Sequence, residues 1–69
     1  MKFYVTTATS EEIKTRIVKT YCVAMYEGVI DFTTLKGEHG QIRNYKNFDS
    51  VCISNENGAI LFAYNKGRN

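Results

Sequence analysis

Two cysteines, one histidine and seven carboxylates are the side chains of this 69-residue sequence that could carry a nucleophile, a general base or a metal ion. Their spacing does not assemble any of these. Cys22 and Cys52 are thirty residues apart with His39 between them, whereas a zinc site needs four ligands that usually arrive as close pairs. Both cysteines sit among apolar neighbours and read as free thiols. His39 lies in the glycine-flanked stretch Lys36-Gly37-Glu38-His39-Gly40; a catalytic base needs a packed shell to orient it, and a turn supplies none. Glu11 and Glu12 stand where a helix begins, and Asp31 and Asp49 lie in or beside strands, so no carboxylate pair is set up for hydrolysis. Gly28, Gly37 and Gly40 match neither the dinucleotide fingerprint nor the phosphate-binding loop, and no Gly-Lys-Ser/Thr follows. These residues predict a protein that is not an enzyme and that uses no cofactor and no metal.

One stretch has a composition suited to binding. Ile42-Arg43-Asn44-Tyr45-Lys46-Asn47-Phe48 interleaves basic and aromatic side chains, as do surfaces that stack bases and touch phosphates. A nucleic-acid site would use Arg43, Tyr45 and Lys46, with Lys66 and Arg68 from the C-terminal end. The competing reading makes Tyr45 and Phe48 core, and Arg43 and Lys46 the charged guards of an edge strand. The charge balance favours the second. Nine basic and seven acidic residues give +2 and a pI near 8.6, below the strongly basic range of dedicated nucleic-acid binders. All of that excess comes from residues 35–69.

The elements that must position these side chains are few. The length permits one domain, predicted over residues 1–65 with 66–69 as a frayed polar tail, and such a chain buries only about 60% of its unfolded surface. Lys2-Phe3-Tyr4-Val5-Thr6-Thr7 alternates with period two and reads as a strand. Thr9 and Glu12 have capping-box spacing. Ile13, Ile17, Tyr21, Ala24 and Met25 then recur with helical period, and Gly28 is free to take a left-handed C-terminal conformation. This predicts a helix from about Ser10 to Glu27. Its β-branched residues argue the other way and leave a second reading, in which the helix stops near Thr20 and Tyr21–Tyr26 form a strand. Strands follow over Val29–Leu35, Gln41–Tyr45, Phe48–Ser54 and Ala59–Tyr64, with Asn57-Gly58 as a hairpin turn.

The predicted fold class is therefore α+β. The order is β-α-β-β-β-β, with one helix packed on one face of a mostly antiparallel sheet, the helix being a right-handed crossover if the first two strands are parallel neighbours. A small SH3-like open barrel is the alternative, favoured if 21–26 are strand.

That architecture leaves a mismatch, because one helix covers one face while the last strand is apolar on both. Ala59, Leu61 and Ala63 point away from the helix, and Tyr4, Val29 and Leu35 join them in some registers. An exposed apolar patch on so small a domain reads as a protein interface. The expected partner is a protein target or a second copy of the chain, a homodimer. Nucleic acid is the alternative partner, and an oligomer that sequesters a small molecule between protomers is the third. No apolar run is long enough for a membrane span and the N-terminus lacks a signal-peptide core, so a cytoplasmic protein without membrane contact is expected. Asn, Lys, Ile, Tyr and Phe supply 27 of the 69 residues, a bias of AT-rich coding. It suits a phage or mobile-element accessory protein that inhibits or modulates a host protein.

Overall fold

A computed structural model describes residues 1–67. It contains one six-stranded sheet: β1 (Phe3–Ala8), β2 (Ile13–Ala24), β3 (Val29–Thr34), β4 (His39–Arg43), β5 (Ser50–Asn55) and β6 (Ile60–Asn65). The order across the sheet is β4-β3-β2-β1-β5-β6, and every neighbouring pair is antiparallel. The first four strands form a meander. A single 3₁₀ turn, Tyr45–Asn47, then carries the chain to the far side of β1, where β5 and β6 form a hairpin.

This corrects the α+β expectation. Among the described residues there is no α-helix, and the segment predicted to be helical is β2, the longest strand, with twelve residues. Among the described residues no crossover joins parallel strands. Six of those twelve residues are β-branched, which costs rotamer freedom in a helix and fits a pleated strand. The local signals that suggested a helix are present but serve hairpins. The Thr9 hydroxyl accepts the Glu12 backbone N–H at 3.1 Å and that of Glu11 at 3.3 Å, as an N-cap would. The bond closes a two-residue loop, Ser10-Glu11, with Thr9 N–H donating to Glu12 O at 2.8 Å. Gly28 does adopt a left-handed conformation, φ 69°, and its N–H reaches Ala24 O at 2.9 Å. That is the bond of a helix C-terminus, used here to turn β2 into β3.

The helix-like spacing of β2 has its own cause. Between Val18 and Thr20 the pairing with β3 slips by one residue, so Lys19 is an inserted bulge. Before it Val18 faces the core; after it Tyr21 and Val23 do, paired with Phe32 and Ile30. One extra residue breaks the period of two into intervals that imitate a helix. The first half of β2 also carries its charges inward: Lys14 and Arg16 lie opposite Thr7 and Val5. The Arg16 guanidinium lies 6.0 Å from the Phe32 ring centroid, its stem covering apolar surface as long basic side chains do.

The core lies on one face, here called inner. Val5, Val18, Ile30, Ile42, Val51 and Ile53 are buried there, with Phe32, and Tyr45 sits over them at 1% exposure. The Tyr45 ring meets Phe62 and Tyr64 of β6 edge-on, at centroid distances of 5.6 and 5.7 Å. The Tyr64 hydroxyl donates to Lys46 O at 3.2 Å. A single sheet has no second layer to bury its apolar face against, so here the sheet curls and the 3₁₀ turn serves as the plug.

Gly40 shows how tight that packing is at the β4 edge. A Cβ built there would lie 2.5 Å from Cε1 and Cζ of Phe32, and Phe32 is itself buried. Gly40→Ala is expected to cost about 1–3 kcal/mol, the range for overpacking a filled core. Chemical denaturation measures it. In a Phe32→Leu background the added cost should fall, and an equal cost in both backgrounds would mean that the ring is not the obstacle.

Candidate functional site

The outer face of the sheet has two unlike halves. Over β2, β1, β5 and β6 the registers place twelve side chains in three rows of four. The rows are Ile17, Tyr4, Ser54, Ile60; then Thr15, Thr6, Cys52, Ala63; then Ile13, Ala8, Ser50, Asn65. None of the twelve is charged, in a chain with sixteen charged residues, nine basic and seven acidic. Ile13, Ile17 and Ile60 are 75%, 46% and 65% exposed, and Tyr4 is half-buried among them. The Thr6 and Thr15 hydroxyls are 3.0 Å apart and satisfy each other. With strand and residue spacings of ~4.8 and ~3.4 Å, the rows span roughly 400 Å², within the size range of surface patches that mark interaction sites.

The β3–β4 half is polar and cross-linked. Gln41 Nε2 donates to Asp31 Oδ1 at 2.9 Å, and Arg43 Nε donates to Gln41 Oε1. His39 Nε2 lies 3.7 Å from the same Asp31 oxygen. Cys22 is exposed beside Asp31. Among the described residues no three His, Cys, Asp or Glu side chains gather so as to hold a metal ion.

The residues picked from sequence for a protein interface do not form one patch. Tyr4 and Ala63 belong to the three rows. Val29 lies on the polar half, opposite Arg43. Leu35, 49% exposed, is in the β3–β4 turn, one residue past the Val18–Thr34 pair, and Ala59 is in the turn before β6. Leu61 sits where the β5–β6 register shifts, and with Met1, Phe3 and Asn55–Asn57 it lines a shallow open groove of about 360 Å³. Ile13, Ile17 and Ile60, the most exposed apolar groups of the rows, are not among the residues the sequence picks out for an interface; the helical period places Ile13 and Ile17 on the stripe of a helix. Reading 13–18 with a period of two separates Ile13, Thr15 and Ile17 from Lys14, Arg16 and Val18.

The basic-aromatic stretch is also redistributed. Arg43, Lys46 and Lys66 are exposed, but Tyr45 is buried in the plug and Phe48 is half-buried against the core. Tyr45 thus has no free face on which to stack a base. The Lys66 backbone N–H donates to Asp49 O at 2.8 Å, while Arg68 lies outside the described residues. Among the described residues no helix is long and apolar enough to cross a membrane.

The fold and the face together define a class: a small all-antiparallel β-domain with one plugged face and one open face, of which the half over β2, β1, β5 and β6 is uncharged. No known protein family, no curated protein and no solved structure matches the chain.

Proposed function

We propose that the chain is a non-enzymatic protein-binding module that docks its partner protein through the uncharged outer face of β2, β1, β5 and β6. The observation that carries this reading is the segregation of charge: twelve adjacent solvent-facing positions carry none. Solvated strand faces normally alternate apolar-in with polar or charged-out, and the core of an interface is where charge is depleted. The complementary surface is uncharged, with apolar groups and hydroxyl or amide partners for the Ser and Thr side chains. The AT-rich composition makes a phage or mobile-element accessory protein acting on a host protein the setting for this activity.

The two cysteines report on the docking site. Cys52 lies in the middle row of the uncharged half and Cys22 on the polar half, so thiol labelling distinguishes the two. A partner recovered with the tagged protein is expected to protect Cys52 and leave Cys22 reactive. Ile17→Lys should abolish its recovery, while the Tm changes by no more than a few degrees because the side chain is already half-exposed. Protection of Cys22 alone, or recovery indifferent to Ile17→Lys, would place binding elsewhere. Recovery lost to nuclease and falling steeply with salt would transfer the activity to Arg43, Lys46 and Lys66, since phosphate contacts release counterions.

A further inference from the structure

The two ends of the sheet are protected unequally. β4, one edge, is five residues long and carries His39, Gln41 and Arg43 on its outer face. Charged side chains and short length are common devices that keep an edge from pairing with another chain. β6, the other edge, is Ile60-Leu61-Phe62-Ala63-Tyr64-Asn65. It has no charge and no proline, and Ile60, Phe62 and Tyr64 are residues of high strand propensity.

The hydrogen-bond phase shows which groups on β6 are unpaired. At one end Lys66 N–H donates to Asp49 O, and at the other Asn55 N–H donates to Ala59 O. In an antiparallel pair bonded and non-bonded positions alternate. Counting inward from Lys66, Tyr64 and Phe62 bond to β5, while Asn65 and Ala63 direct their N–H and C=O groups away from it. Counting from Asn55, Ile60 points away and Leu61 and Phe62 share Ile53 at the register shift. The two counts agree.

From this phase we infer that β6 pairs with the β6 strand of a second copy, antiparallel about a two-fold axis, to join two sheets into one of twelve strands. In the symmetric register that matches the free groups, Ala63 of each copy exchanges both backbone bonds with Asn65 of the other, and Tyr64 faces Tyr64 across the axis. Four backbone hydrogen bonds form. The facing strands carry no charges, so no like pair is brought together. The guarded β4 edge stops the same strand from adding head to tail, so association closes at two copies instead of running on as a fibre. With the axis perpendicular to the sheet, the uncharged halves of both outer faces end on the same side. The inference rests on the edge alone and stands whatever binds the face.

The test is the mass of the full chain in solution by sedimentation over a wide dilution series. The expected result is a reversible species of twice the 7.9 kDa chain mass. Ala63→Pro removes an N–H that points away from β5, so it should give a folded monomer. Amide exchange of the unaltered protein provides a second readout that needs no variant: exchange at Ala63 and Asn65 should slow by about tenfold or more as concentration rises, and at Phe62 and Tyr64 should not follow it. A monomer at every concentration would overturn the inference, as would a dimer that survives Ala63→Pro. A dimer lost in Ile17→Lys, with Cys52 protected, would also overturn it by moving self-association to the face.

Discussion

Tyr45→Ala should leave the protein largely unfolded at physiological temperature. The ring is 1% exposed and is the largest fully buried side chain. Truncating a buried aromatic costs about 3–5 kcal/mol, and each edge-on partner lost, Phe62 and Tyr64, adds up to ~1.5 kcal/mol. A chain of 69 residues has roughly 3–10 kcal/mol in total to lose. The position adds to the effect, because this one side chain on a connecting turn packs onto β6, the edge opposite the strand that precedes it. The measurement is thermal unfolding by circular dichroism, with a Tm drop of more than about 12 °C expected from 4–8 °C per kcal/mol. Tyr45→Phe keeps the ring and should cost about 1 kcal/mol or less. A loss below about 1 kcal/mol for Tyr45→Ala would mean that the turn is a detachable flap and that the sheet holds its curl unaided.

Ile53→Ala should be the next most damaging single change. Ile53 is fully buried and lies between Val5 of β1 and Phe62 of β6, so its removal opens a cavity in the middle of the core at a cost of about 2–5 kcal/mol. Its neighbour Ser54 points to the outer face between Tyr4 and Ile60. Ser54→Ala should change stability by no more than about 0.5 kcal/mol in the free protein. The contrast between adjacent residues measures the asymmetry of the sheet directly by denaturant unfolding. Equal costs would mean that the outer face is as covered as the inner one.

What the sequence conveyed correctly was local. The strand expected over residues 2–7 is found at Phe3–Ala8, and the hairpin over Asn57-Gly58, the left-handed Gly28 and the hydroxyl bond of Thr9 are all present. Each depends on residues within a few positions of one another, and such geometry is encoded in neighbours. The error over 10–27 arose because the same local bonds serve a helix end and a hairpin equally well. The choice was made by pairing partners far along the chain: β2 exists because β1 and β3 flank it, and Lys19 is a bulge only relative to β3. The site followed the same division. That Tyr4 and Ala63 were candidates for exposure could be read from strand period. That they share a face with Ile17, Cys52 and Ile60 required the strand order.

The sequence by itself conveyed abundant strand-forming residues, a spacing of Cys, His and carboxylate side chains that matches no catalytic or metal-binding motif, and apolar residues beyond what a single helix could cover. Only the tertiary structure decided that no α-helix forms among the described residues, that Tyr45 is a core plug and not a stacking surface, and that the uncharged side chains of four strands meet on one face. Composition and short-range spacing act through each residue's own conformational preferences. Sheet order and register are set by long-range hydrogen bonds, and in this chain they bring β5 beside β1 across some fifty residues of sequence.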